Sequence, residues 1–122
     1  MRKHIATLLV LAFAAGCSFH ARSTEDYKAD TRKLLSTKDA EIKACYDQHL
    51  ATNPAQSGKV VVNFTVEKKT GKVGNVAVDP KQSTAPESLQ ACVTGAIKGL
   101  TLKPEDRRDG DATFTWVFKG AS

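Results

Sequence analysis

The sequence predicts an α+β fold: a small two-layer domain in which an antiparallel sheet carries its helices on one face, in the order helix, β-hairpin, helix, strand. Three observations carry this. Residues Lys59–Val66 alternate, with Val60, Val62, Phe64 and Val66 on one side and Val61, Asn63, Thr65 and Glu67 on the other, the period-two pattern of a strand with one buried face. A helix-period segment lies on each side of that strand in sequence, and each carries one cysteine, Cys45 or Cys92, on its apolar stripe. The chain closes on Thr113–Phe118, where Phe114, Trp116 and Phe118 share one face, as they would on a last strand.

The N-terminus sorts to export. Met1–His4 is positive, Ile5–Ala15 carries no charge, and Ala15-Gly16-Cys17 follows. Eleven apolar or small residues fall short of the roughly 20 that span a bilayer, so the segment reads as a cleaved signal. Its ending resembles a bacterial lipobox, which makes Cys17 the lipidated first residue of the mature chain. Cleavage after Ala14 would instead leave Cys17 as a free thiol. Parity bears on the choice: of three cysteines, a lipidated Cys17 leaves Cys45 and Cys92 as a pair, with no odd thiol in an oxidising compartment. Ser18 in place of Asp favours the outer membrane by resemblance to the bacterial sorting rule. The expected organisation is a lipoprotein signal peptide at 1–16, a polar tether at 17–37 and a folded domain at 38–119. The tether could reach about 65–70 Å fully extended, and nearer 25 Å as a flexible chain. Tyr27, Thr31, Leu34 and Leu35 within it have helical spacing.

Composition excludes several classes. The formal charge is +5; without Arg2 and Lys3, 16 basic and 13 acidic residues leave +3. The charges alternate in sign, as in Glu105-Asp106-Arg107-Arg108-Asp109, and form no basic stripe with aromatics for nucleic acid. No nucleic-acid partner, small-molecule substrate, cofactor or metal is expected. His49 has no second His or Cys at ligand spacing on its helix, so it reads as a residue at the core boundary. The carboxylates of the 105–111 loop are interleaved with arginines and read as a solvated turn.

The first expected helix runs from a cap at Ser36-Thr37-Lys38-Asp39 to Asn53-Pro54, with Ile42, Cys45, Tyr46, His49 and Leu50 on one stripe. Lys68–Lys72 makes a turn in which Gly71 takes a positive φ. In the strand Val73–Asp79, Val76 and Val78 face the core and Val73 is out of phase, which signals a bulge or a strand start. Thr84-Ala85-Pro86-Glu87 reads as a capping box for the second helix, whose stripe is Leu89, Cys92, Val93, Ala96, Ile97 and Leu100. Two core-face cysteines far apart in sequence suit a structural disulfide better than a redox pair, which usually sits close, as in C-x-x-C.

These residues together resemble the C-terminal domain of AgmX/PglI-type proteins of gliding bacteria, a relative of the TonB C-terminal domain. The resemblance rests on Ile42-Lys43-Ala44-Cys45-Tyr46 with Leu50, then Asn53-Pro54, Gly58 and Val60–Val66. It continues through Gly71-Lys72-Val73, Leu89 to Val93 with Cys92, and the aromatic last strand, covering roughly Tyr27 to Phe118. Leu102-Lys103 stands where the family has Phe-Pro, and Phe114–Phe118 lacks the family's proline. The resemblance implies a non-enzymatic binding or adaptor domain, lipid-anchored at the outer membrane and facing the periplasm, for an envelope protein of a motility or transport assembly. Phe114, Trp116 and Phe118 mark its candidate partner-binding strand. The family's energy coupling does not carry over, because a short tether cannot span the periplasm. Two other readings stand beside it: a structural envelope lipoprotein without a dedicated partner, and a thiol redox protein using Cys45 and Cys92.

Overall fold

A computed structural model describes residues 21–120. The signal segment and Cys17 lie outside the described residues. Helices α1 (Thr24–Ser36) and α2 (Asp39–Thr52) precede strands β1 (Gly58–Val66) and β2 (Val73–Val78), helix α3 (Glu87–Ile97) and strand β3 (Gly110–Phe118). The fold is α+β, with one antiparallel sheet in the order β2-β1-β3. No helix among the described residues is long and apolar enough to cross a membrane.

The alternation in β1 sets the layers. Val60, Val62, Phe64 and Val66 are buried in one core cluster with Ile42 and Cys45 of α2, Leu89, Val93 and Ile97 of α3, and Leu35 of α1. Burying an aliphatic side chain of this size stabilises a fold by about 1.5–3 kcal/mol, so this floor is the main apolar contribution of the sheet. Val61 on the opposite face is buried as well, which strict alternation does not anticipate. The disulfide Cys45–Cys92 joins α2 to α3 over the sheet, with the Cα atoms 5.9 Å apart.

Residues 24–36, the part of the tether whose spacing is helical, form α1, and two expected caps resolve differently. Ser23 caps that helix by accepting from the Asp26 N–H, and Thr31 and Leu35 are buried. The Ser36–Asp39 cap does not form at α2. Ser36 donates to the Arg32 carbonyl and Thr37 to that of Leu34, so both hydroxyls close α1, and α2 starts without a side-chain cap. The capping box at Thr84 is absent too. Its Oγ1 accepts from Lys59 N, and the Lys59 carbonyl accepts from the N–H groups of Thr84 and Ala85. Beyond the end of β2, residues 83–85 supply β1 with the partners it would otherwise lack, and an unpaired strand edge outcompetes a helix start for the same hydroxyl.

The hairpin follows its pattern. Gly71 has φ +73, and a Cβ there would collide with the Leu102 carbonyl oxygen, so a side chain is barred by both backbone and space. Val73 is buried and pairs with Val66, while Val78 pairs with Val62. β2 therefore holds one residue more than β1 across this stretch. That is a bulge, marked by Asn75 at φ 50.

Candidate interaction site

The two outer strands of the sheet differ in how their free edges are covered. The β2 edge is short, bulged at Asn75, and partly occupied: Val73 N–H donates to the Leu100 carbonyl, Leu102 N–H to that of Gly71, and Lys72 bridges to Thr101. β3 pairs with β1 in unbroken register over nine residues, Gly58↔Phe118 to Val66↔Gly110. In an antiparallel sheet each residue directs its N–H and C=O to the same neighbour, and direction alternates along the strand. Lys59 and Val61 use both groups on the β2 side. Val60, Val62, Phe64 and Val66 therefore bond to β3, through Trp116, Phe114, Ala112 and Gly110. It follows that the N–H and C=O groups of Asp111, Thr113, Thr115 and Val117 point outward along the free edge.

The side chains of those four residues lie on the sheet face away from the helices. Asp111 accepts from Thr65 Oγ1 (3.0 Å), and Thr113 donates to Asn63 Oδ1 (2.6 Å). Val117 is 63% exposed, an unusually open large aliphatic among the described residues. Phe114, Trp116 and Phe118 face the helices. Phe118 is buried against Tyr46 (ring centroids 4.8 Å), while Phe114 and Trp116, 4.8 Å apart, are half-buried at the rim. The aromatic stripe is thus part of the core at Phe118, and opens to solvent only at its two other rings.

A cleft of about 440 Å³ runs between α1 and the first half of β3, lined by Lys28, Arg32, Asp111, Thr113 and Phe114 among others. Its floor near residue 22 is a cluster of charges. Arg22 is buried and donates through Nε to Asp30 (2.6 Å), through Nη2 to the Pro104 carbonyl (2.8 Å) and through Nη1 to Asp106 (3.5 Å). The Asp106 carboxylate also accepts from the N–H groups of Arg22 (2.8 Å) and Arg108 (3.0 Å). Burial pushes the Asp106 carboxyl up, but those N–H donors and the charges of Arg22 and Arg108 outweigh it and hold it below the usual aspartate value. Arg108 Nη2 returns to the Arg22 carbonyl (2.7 Å). Tyr27 seals the end: its hydroxyl donates to the Arg108 carbonyl, and its ring lies against Gly110, where a Cβ would come within 2.6 Å. Burial and then the Asp106 charge raise the Tyr27 pKa. The 105–111 loop is therefore not simply a solvated turn, because Asp106 at its centre is 2% exposed. Sequence reasoning missed this: a lone Arg in a polar segment 84 residues from its acid leaves no local pattern.

Of the other residues marked from sequence, His49 Nε2 lies 3.4 Å from Ser88 Oγ at the surface. Among the described residues no group of three or more His, Cys, Asp or Glu side chains is placed to hold a metal.

No protein-family model matches this chain, and no curated protein matches it. A solved structure similar to it is the solution structure of the TonB C-terminal domain of Helicobacter pylori (residues 179–285), 19% identical, covering 84% of this chain and 100% of that one with a TM-score of 0.42.

Proposed function

We propose that this chain is a lipid-anchored, periplasm-facing binding or adaptor domain of the outer membrane, which takes up an extended segment of another envelope protein along the free edge of β3. The observation that carries the reading is that edge: nine residues, free of proline and bulge, with the outward backbone groups of Asp111, Thr113, Thr115 and Val117. Soluble proteins usually blunt such edges, and strand addition is a recurring way of using one. The sequence resemblance to AgmX/PglI-type domains points the same way and suggests a motility or transport assembly as its setting. The partner in this reading bonds to the backbone of the edge. Phe114 and Trp116 supply an apolar rim, and Phe118 acts through the core.

Lipidation at Cys17 would set the geometry. Cys17 is five residues ahead of Arg22, and five residues reach at most about 17 Å. With Arg22 buried in the fold, the domain would ride close against the membrane instead of swinging on a long tether. Replacing Cys17 with Ala is expected to abolish metabolic labelling with palmitate; labelling that persists would remove the anchor from the proposal.

The binding edge is tested with a photo-cross-linking amino acid in the full chain in cells. At Thr113 or Val117 it should capture a discrete envelope protein, and at Lys43 on the exposed side of α2 it should not. Adding Thr115→Pro, which removes an outward N–H from an edge strand, is expected to cut capture at least tenfold while thermal unfolding moves by only a few degrees. Equal capture from Lys43, or capture indifferent to the proline, would count against the edge.

A further inference from the structure

The end of the sheet that carries the hairpin turn is also where the chain enters the fold, and its exposed charge is positive. We infer that this end is a membrane-contact surface: the cations of the 67–72 turn and the 103–108 loop lie against the anionic headgroups of the phospholipid surface that holds the chain. The inference rests on the lipid anchor proposed above and adds what an anchor alone does not give, a fixed orientation of the domain.

Hydrogen bonds bring these segments together. The Asp106 carboxylate accepts from the Arg22 N–H (2.8 Å), and the Asp106 carbonyl accepts from the Lys69 N–H (2.9 Å). Asp109 accepts from the Lys68 N–H (2.7 Å), and Lys72 bridges to Thr101. The turn therefore stands beside the entry of the chain, and lipid on Cys17, five residues ahead of Arg22, would bring headgroups to this end first. The acids of this end are engaged within the fold. Asp106 is buried, Asp109 holds the turn, Glu67 accepts from Thr70 Oγ1, and Glu105 pairs with Lys103. Lys68, Lys69, Lys72 and Arg107 are exposed and have no ion pair or side-chain hydrogen bond among the described residues. At the opposite end of the sheet, around Gly58 and Phe118, Lys81 and Lys119 are accompanied by Asp79 and Glu87.

Lys69 adds a separate observation. Its φ is 70, in the left-handed region where Gly or Asn is the ordinary occupant and a Cβ is disfavoured. A long cation kept at such a position in an exposed turn points to a use outside the fold. Each Lys or Arg beside an anionic surface strengthens attachment about fivefold, and a basic patch is the second signal that makes a lipid anchor hold firmly. Contact at this end also orients the binding edge. Val66 and Gly110 end at the turn, and Gly58 and Phe118 at the far end, so β1 and β3 rise away from the membrane. The open edge of β3 then stands upright over about 30 Å, with Asp111 near the headgroups and Val117 far from them.

Two measurements on the full chain test this. In the first, chains carrying Cys17→Ala are mixed with phosphatidylcholine vesicles with or without phosphatidylglycerol. All variants share one N-terminus, so differences between them report the folded end. Partition should rise with phosphatidylglycerol and fall as salt is added. Lys68→Gln/Lys72→Gln should weaken it about twentyfold on the phosphatidylglycerol vesicles, and Lys69→Gly about fivefold, the latter without lowering the thermal midpoint. In the second, the chain purified from its membranes is placed in nanodiscs of the same anionic composition with nitroxide-labelled headgroups. A coumarin amino acid at Thr70 should be strongly quenched, and one at Ala55, beside Gly120 at the far end, should not. Partition indifferent to phosphatidylglycerol or to the lysines overturns the proposal. So does equal quenching at the two positions, or a Thr70 probe left unquenched, as it would be if the patch served an acidic protein. If Cys17→Ala leaves palmitate labelling unchanged while partition keeps both dependences, the anchor is discarded and the contact surface stands.

Discussion

Replacing Cys45 and Cys92 together with Ala is expected to lower the stability of the oxidised protein by about 4 kcal/mol. The bond closes a loop with a sequence separation of 47, and the entropy of holding that loop closed in the unfolded chain accounts for a figure of this size. Against the 5–15 kcal/mol typical of a native domain, the loss is large. Its structural consequence is specific. The bond joins α2 to α3, and without it α2 keeps Ile42 in the core as its buried aliphatic side chain, whereas α3 keeps Leu89, Val93 and Ile97. α2 should therefore loosen first. Urea unfolding of the double variant, beside the parent with and without reductant, provides the measurement. Reduced parent and double variant should unfold at closely similar urea concentrations, both well below the oxidised parent. A loss under about 1 kcal/mol would mean that the apolar floor alone fixes the helices.

What could be read from sequence follows the range of the interactions concerned. β1, the hairpin turn at Gly71, the stripes of α2 and α3 and the last strand are written in local periodicity, and each lies where that periodicity puts it except Leu100, which follows the end of α3 at Ile97. The two cysteines were legible for the same reason: each sits on an apolar helix stripe, and two core-facing stripes over one sheet bring them together. Hydroxyl caps were misread because Ser36 and Thr84 have more than one nearby backbone group to satisfy. Local spacing cannot say that Lys59 and Val61 would lack partners once β2 ends, and so would claim Thr84 and Ser83. The status of Phe114, Trp116 and Phe118 needed the sheet order. Only with β3 on the outside does a core stripe also become the rim of an open edge. The cluster around Arg22 had no signature at all, since its members come from residues 22, 30, 104, 106 and 108 and are joined by tertiary contact alone.

That cluster carries the second large effect. Asp106→Asn is expected to destabilise the fold by about 3 kcal/mol, because it removes the buried carboxylate that accepts from the N–H groups of Arg22 and Arg108 and leaves the buried Arg22 guanidinium with the half-exposed Asp30 as its remaining acid. For a domain of this size the loss corresponds to a fall in Tm of roughly 12–24 °C. The side chains of Arg22 and Asp106 are 2% and 1% exposed, whereas that of Asp30 is 47% exposed. Asp30→Asn should therefore fall within about 1 kcal/mol of the parent, as solvent-screened pairs do. Replacing Arg22 and Asp106 together with apolar residues should be milder than losing Asp106 alone, since the pair is needed mainly to neutralise itself. The pH dependence has a definite sign. The folded-state pKa of Asp106 is lowered, so its contribution is complete above the ordinary aspartate value of 3.8 and is lost as the pH falls below it. Parent and Asp106→Asn should accordingly converge in stability in that acid range and diverge above it. Hydrogen exchange locates the damage. Arg22 ties the start of α1 to the 103–109 loop, so amides of residues 24–36 should lose protection in Asp106→Asn while those of β1 keep theirs. If α1 and β1 opened together, α1 would be an integral layer of the core; if α1 opens alone, the wall of the cleft beside the β3 edge depends on the charge cluster around Asp106.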